Sequence, residues 1–453
     1  MNDPRWRPTL VTLTPTRTQR WRLAAQSVPA VVWLCIALTL AALLRLTLLA
    51  TLDVQQSSDA QWYLDRAWEL ASTGQYAENG VPTAFWPVGY PAFLAALMAL
   101  FGHQALVGQV ANAVLGVLAV LLVYRFGVQQ FGSHRVGAVA ALLLAVYPNH
   151  LGYAAGLYTE PLYTVLLLAL VVVARSRWPA AGKGLWRWGP CRWSTGRWLL
   201  AGLLAGAATL VKSQTLMLAP LLLALLALRG WDRPAWRRMV PLWLLAMAGM
   251  AAVVTPWTWR NHVVMGAAVP VSTNGGMSLW IANNPNMHVG QRMDYDDRNG
   301  VYEAVGFSVA DQVAADQRAR ALARRWIADN PDRFLALMPW KAWRLWAYDG
   351  ESEWIFQRGY AGYQETWLAF RAARGLNQVY YLLLLAAGLW GLWRVFKAPG
   401  GQAPRALVLP LLLVFSTALA AVFSGQARYH YALMPFVFAY AAWWLMGLPL
   451  RRR

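Results

Sequence analysis

The chain has 453 residues, of which 58% are hydrophobic and only 13% charged. A soluble protein carries about 25% charged residues, so the composition excludes a string of ordinary soluble domains. The net charge of +20 does not point to nucleic acid. The arginines collect in short loops between apolar runs, as the positive-inside rule requires, and no Lys/Arg stripe with interleaved aromatics is present.

In chain order, a basic arm with Arg5, Arg7, Arg17, Arg20 and Arg22 marks the cytoplasmic side. The apolar run from Val28 to Leu49 is too long for a signal-peptide core and is expected as an uncleaved first helix. The next segment, Asp53 to His103, holds Asp53, Asp59, Asp65, Glu69 and Glu78 against Arg66 alone, and reads as an outer loop. Within it, Ser58-Asp59-Ala60-Gln61 matches a capping box that starts a helix. Tyr63, Ala67 and Leu70 continue a helical stripe, with Gly74 as its stop. Pro91 to Phe101 is apolar but too short to span, and is expected as an interfacial or re-entrant helix.

Further spans are expected at residues 106–126, 136–153, 161–174, 198–211, 215–228, 239–257, 378–395, 406–423 and 429–448. Between them, the clusters Arg125/Arg135, Arg175/Arg177/Lys183/Arg187/Arg192/Arg197, Arg229/Arg233/Arg237/Arg238, Arg394/Lys397/Arg405 and the closing Arg451, Arg452 and Arg453 all fall on the inner side. Of the acids, only Asp3 and Asp232 fall there. Residues 258–376 form the one sizeable hydrophilic region, on the outside. It carries turn sequences at Asn274-Gly275-Gly276 and Asn283-Asn284-Pro285, a helix from Ser308 to Asp329, and an interfacial helix from Phe334 to Trp346. The expected fold is all-α: a polytopic membrane helix bundle of about ten transmembrane helices. Its parts are an N-terminal transmembrane module (1–257, with the outer loop 53–104), an extracytoplasmic domain (258–376) and C-terminal helices (377–453).

Two acids stand where chemistry is expected. Asp59 lies in the first turn of its helix, where complementing the helix dipole is an equally good reading. Glu160, in Tyr158-Thr159-Glu160-Pro161, is an N-cap candidate at a membrane edge, where ionisable groups are often functional. Asp65 and Glu69, partnered by Arg66, read as a solvated face. Lys212, Arg260 and Arg428 all lie at outer ends of spans. Each alone fits snorkelling, but together, on a side poor in bases, they fit an anionic phosphate at the membrane face. Arg45, near the end of the first helix, is a further candidate. The six histidines show no metal spacing, Asp294, Asp296 and Asp297 read as a solvated loop rather than a calcium site, and Cys35 and Cys191 are not expected to pair. Tryptophans are numerous, as interfacial belts require, and no Gly-rich phosphate loop precedes a helix.

With these motifs in hand, the chain resembles the bacterial glycosyltransferases of the GT-C class, near the protein O-mannosyltransferases and lipid A aminoarabinose transferases. The resemblance rests on Leu44-Arg45 followed by Asp59-Ala60-Gln61-Trp62-Tyr63, on Trp86-Pro87-Val88-Gly89-Tyr90-Pro91 and on Thr159-Glu160-Pro161-Leu162. It continues through Pro256-Trp257-Thr258-Trp259-Arg260-Asn261, Ser272-Thr273-Asn274-Gly275-Gly276 with Asn283-Asn284-Pro285, and Arg428-Tyr429. It implies an inverting transfer of a sugar from a polyprenyl-phosphate donor to an acceptor hydroxyl of a lipid, glycan or protein, at the outer face of a bacterial inner membrane. It makes Asp59 the general base, with Glu160 as a helper or alternative base, and Lys212, Arg260 and Arg428 the phosphate ligands. Tyr63, Tyr90, Tyr429 and Asn261 would position substrate. No cofactor or metal is implied: Ala60 stands where some relatives carry a second acid, which weakens a divalent-cation mechanism. The sugar, the acceptor and the lipid length stay open. A transporter or flippase, or a polymerase or ligase, of a lipid-linked saccharide is the competing reading. A transporter would be expected to show repeats and mid-membrane polar groups.

Overall fold

The computed structural model describes residues 29–176, 191–228, 236–290, 300–398 and 404–447. The basic arm, Asp3, Arg177, Lys183, Arg187, Arg229, Asp232, Arg233, Asp294, Asp296, Asp297 and the closing arginines lie outside the described residues, as do the side chains of Cys191, Arg192, Arg237, Arg238 and Arg405.

The first apolar run forms α1 (Ala30–Thr51). Then follow α2 (Asp59–Thr73), a small antiparallel hairpin of β1 (Ala77–Glu78) and β2 (Val81–Pro82), and α3 (Gly89–Phe101). Gly74 ends α2 in the left-handed region, φ 72°, with its N–H bonded to the Leu70 carbonyl. The capping box does not form. Ser58 is the N-cap, but its side chain accepts no bond and its φ is +51°, while Gln61 donates instead to Asp65 at 2.7 Å. A non-glycine residue in this region is strained, and such strain concentrates at functional sites. Nor is Arg66 solvated: it is buried, contacts Glu69 at 3.5 Å and Glu78 at 3.7 Å, and lies over the Trp62 ring.

The bundle continues with α4 (Ala105–Phe131), α5 (His134–Ala145), α6 (Pro148–Gly152), α7 (Thr159–Arg175), α8 (Cys191–Val211), α9 (Thr215–Ala227) and α10 (Trp236–Met265). Five cap helices follow: α11 (Gly275–Ala282), α12 (Val301–Val305), α13 (Gln312–Asp329), α14 (Pro331–Ala347) and α15 (Glu351–Gly359). The chain re-enters the bundle with α16 (Leu368–Lys397), α17 (Val408–Val422), a 3-10 segment (Ala427–Leu433) and α18 (Met434–Leu445).

Among the described residues, α1, α4, α10 (from Met239) and α16 are each long and apolar enough to cross a membrane alone, and shorter apolar helices pack between them. The architecture is the expected polytopic helix bundle. It departs from the expected boundaries where polar groups intervene. The 136–153 span breaks at Val146-Tyr147, because Pro148 has no N–H to continue the ladder and holds Tyr147 in the extended region; the chain restarts as the short helix α6, with the Tyr147 and Asn149 side chains bonded to Asp349. Helix α10 runs on to Met265, so residues 258–265 extend a bundle helix and do not open the hydrophilic region. Ten consecutive residues of α18, Met434 to Trp443, are buried, as expected for a helix apolar on all sides.

One polar network lies deep between cap and bundle. The Asp349 carboxylate accepts from Tyr147 Oη (2.6 Å), His430 Nε2 (2.9 Å), Asn377 Nδ2 (3.0 Å) and Asn149. His430 and Asp349 are almost wholly inaccessible. A buried carboxylate persists only when its lone pairs are satisfied. The satisfied network pins the 3-10 segment that carries Arg428 and Tyr429.

Candidate active site

At the junction of α2, the start of α7, the α8–α9 turn, the cap and the end of α17 lies a cavity of about 380 Å³. Tyr63, Trp86, Tyr158, Glu160, Lys212, Arg320, Arg428 and Tyr429 are in its wall.

Glu160 is not an N-cap. Tyr158 holds that position, and Glu160 is the second residue of α7, with Pro161 tolerated in the same turn because its missing N–H has no intrahelical partner there. Glu160 is buried, with its side chain 3% exposed. It accepts from Lys212 Nζ at 2.9 Å and from Thr159 Oγ1 at 3.1 Å. The α8–α9 turn delivers Lys212: its N–H still bonds the Ala208 carbonyl, ending α8 at the cavity.

Asp59 sits at the first residue of α2, and Arg428 Nη1 donates to its Oδ2 at 2.9 Å. Asp59 is not itself in the cavity wall and meets the cavity through Arg428. Burial works against the Arg428 charge, but Tyr429, Asp59 and Glu160 outweigh it and hold its pKa above the ordinary value. Arg428 Nε is buried with no hydrogen-bond partner, an unmet donor beside the cavity. Tyr429 carries both cations on its ring, Lys212 Nζ and Arg428 Cζ each 5.5 Å from the centroid. The site therefore holds two acid–base pairs, Asp59–Arg428 and Glu160–Lys212, with one aromatic ring between their cations.

The remaining expected site residues lie elsewhere. Arg260 does not border the cavity. Its guanidinium donates to the carbonyls of Tyr76 (2.7 Å) and Thr83 (2.8 Å), and stacks over Trp257. It acts as a clamp on the β1–β2 hairpin, because the continuation of α10 carries it toward that loop. Asn261 is fully buried and donates to the Val269 carbonyl. Tyr90 is also fully buried, bonded to Asn112 and edge-on to Tyr63 at 5.5 Å, so it supports the wall without reaching the cavity. Arg45 is buried inside the bundle, bonded to the Ala41 carbonyl. Among the described residues no group of three or more His, Cys, Asp or Glu comes together to hold a metal ion.

Two features were illegible in sequence. Gln312 of α13 takes hydrogen bonds from Ala84 N–H and the Thr83 and Thr273 hydroxyls, locking the first loop to the cap. Arg320, one arginine among several on α13, reaches the cavity wall. Nothing in the local sequence separates it from its neighbours.

Comparison with known proteins bears on the fold. The profile of the dolichyl-phosphate-mannose-protein mannosyltransferase family matches residues 86–259. No curated protein sequence matches the chain. Among solved structures, the chain is similar to the oligosaccharyltransferase of Archaeoglobus fulgidus in its apo form (TM-score 0.52, 14% identity, 92% of this chain and 50% of that one). It is equally similar to AglB from the same organism in complex with an inhibitory peptide and a dolichol-phosphate (TM-score 0.52, 16% identity, 93% and 52%). ArnT from Cupriavidus metallidurans bound to undecaprenyl phosphate aligns at TM-score 0.43 with 14% identity, over 92% of this chain and 77% of that one. The chain thus spans about half the length of the archaeal enzymes it matches. The fold is the GT-C type: a polytopic membrane bundle of the kind used by glycosyltransferases and oligosaccharyltransferases.

Proposed function

We propose that the chain is an inverting glycosyltransferase that moves a sugar from a polyprenyl-phosphate donor to an acceptor hydroxyl at the outer face of a bacterial inner membrane. The observation that carries this reading is the two ion pairs, Asp59–Arg428 and Glu160–Lys212, whose cations line one cavity at the end of a GT-C bundle. The dolichol-phosphate in the archaeal AglB structure agrees with the donor class.

Lys212 and Arg428 hold the donor phosphate. The unmet Arg428 Nε and the Lys212 ammonium supply donors to the oxygens on which charge grows as the anomeric C–O bond breaks. Drawing Arg428 onto the phosphate loosens its bond to Asp59. The freed carboxylate accepts the proton of the acceptor hydroxyl, whose oxygen forms the new bond at the anomeric carbon from the opposite face. Polyprenyl phosphate leaves with the electron pair. Asp59 suits the base role better than Glu160, because its side chain is 26% exposed against 3% and an acceptor must reach it. Glu160, held by Lys212, orients that cation. Tyr63 and Tyr429 present rings along the cavity, while Arg260, Asn261 and Tyr90 act through the loop and wall they support.

The test is transfer by purified protein in nanodiscs with a panel of polyprenyl-phosphate sugars, scoring release of polyprenyl phosphate. Release that needs Asp59 is expected. No release with any donor, alongside movement of the lipid-linked sugar across the bilayer, would instead identify a transporter.

A further inference from the structure

The two pairs described above leave one cation of the cavity without a role. Arg320 comes from the cap, on α13, and borders the same cavity as Lys212 and Arg428. Its neighbours on that helix turn away: Arg318 pairs with Asp311 and Arg325 with Asp329, both on exposed surfaces. Arg320 Nη2 donates to Asp316 Oδ2 at 2.7 Å. Asp316 is itself mostly buried, and its other oxygen takes the Gly276 N–H at the start of α11.

This arrangement is built. Gly276 has no side chain, and one would collide with the Asp316 backbone, so the glycine lets α11 and α13 touch. The contact sets the guanidinium against Gly275, at ordinary van der Waals distance from where a Cβ would stand (3.6 Å). Ser272 and Asn274 border the cavity beside it, the serine hydroxyl bonded to the Asn274 side-chain oxygen at 2.8 Å. An i,i+4 ion pair with a half-exposed arginine contributes little to stability. Holding Asp316 in place therefore does not need the guanidinium in a cavity wall. A guanidinium presents a planar fork of donors that matches a phosphate or carboxylate, and this one is paired with a mostly buried carboxylate and borders the cavity.

We propose that Arg320, with Ser272 and Asn274, forms a second anion subsite, which binds an anionic group of the substrates beyond the phosphate held by Lys212 and Arg428. The inference rests on the transferase reading and extends it to substrate class. The group is either the second phosphate of a diphosphate carrier or a phosphate or carboxylate on the acceptor.

The experiment uses the full chain in nanodiscs, with Arg320→Gln, Arg320→Lys and Arg428→Ala variants. Binding of undecaprenyl phosphate and undecaprenyl diphosphate is measured, then transfer to a hydroxyl acceptor bearing a phosphate and to its uncharged analogue. If the anion is the second phosphate, Arg320→Gln weakens diphosphate binding about tenfold or more and leaves monophosphate binding alone. If it belongs to the acceptor, both lipids bind as before and KM rises by about the same factor for the phosphorylated acceptor only. In either case Arg320→Lys recovers part of the loss, which a folding defect would not allow. Equal loss for charged and uncharged ligands, or no change at all, overturns the subsite. Lipid binding that responds to Arg428→Ala, while neither lipid binding nor the KM for the phosphorylated acceptor responds to Arg320→Gln, removes the subsite and leaves the transferase reading standing. Failure of the wild-type chain to bind either lipid removes both.

Discussion

Replacing Asp59 by Asn should separate catalysis from donor binding in opposite directions. The change preserves shape but removes the base, and a general base contributes about 10²–10⁴-fold to rate. It also removes the charge that engages Arg428 at 2.9 Å. Drawing the guanidinium onto the phosphate loosens that bond, so carboxylate and phosphate compete for Arg428. A charge-assisted hydrogen bond is worth about 1.5–3 kcal/mol. The side chains of Asp59 and Arg428 keep 26% and 17% exposure, and discounting for solvent screening leaves about 1–2 kcal/mol. Asp59→Asn should therefore bind undecaprenyl phosphate roughly 5- to 30-fold more tightly while losing at least ~100-fold in kcat. Equilibrium binding in nanodiscs and single-turnover transfer measure the two effects. Weaker donor binding by the variant would refute the competition between carboxylate and phosphate for Arg428. Wild-type transfer would refute Asp59 as the base.

The other perturbations address its neighbours. Glu160→Gln should lower kcat but keep the acidic limb of the pH–rate profile, which Asp59→Asn abolishes; the reverse pattern would make Glu160 the base. Arg260→Ala removes two carbonyl contacts of 2.7 and 2.8 Å and should cost about 2 kcal/mol of stability, seen as a lower Tm, with kcat reduced less than ~10-fold because the residue touches no reacting group. Lys341 lies in α14, fully buried against Asn283 (2.6 Å) and Phe334, and burial lowers its pKa from 10.5 to about 8. Its folded pKa lies below its unfolded one, so the unfolded chain holds more protons between these values. Stability should then rise as pH climbs from about 8 to 10.5, by roughly 3 kcal/mol at most. A Tm–pH profile of Lys341→Met, flat where wild type rises, checks this; identical profiles would sink it.

Much of the frame was readable in the chain. Apolar runs of membrane length, Gly74 as a helix stop, and the polar turn at Lys212 between two apolar helices follow from local chemistry alone. Length and hydropathy decide whether a segment enters a bilayer, and a glycine at a left-handed position ends a helix whatever surrounds it. The motifs also marked Asp59, Glu160 and Arg428 individually.

What the chain could not convey is direction around each helix axis. In a soluble helix one apolar face points inward, but helices such as α1, α10 and α18 are apolar on all sides, so sequence carries no azimuth. Only packing decided that Arg428 meets Asp59 across 369 positions of sequence, and that Arg260 turns to the β1–β2 hairpin. Packing also buried Arg66, and it selected Arg320 among the arginines of α13 to border the cavity. Hydropathy tells a residue which solvent its helix lives in. Which charge it pairs with is a long-range outcome, decided by which buried polar groups can satisfy one another once the bundle has closed.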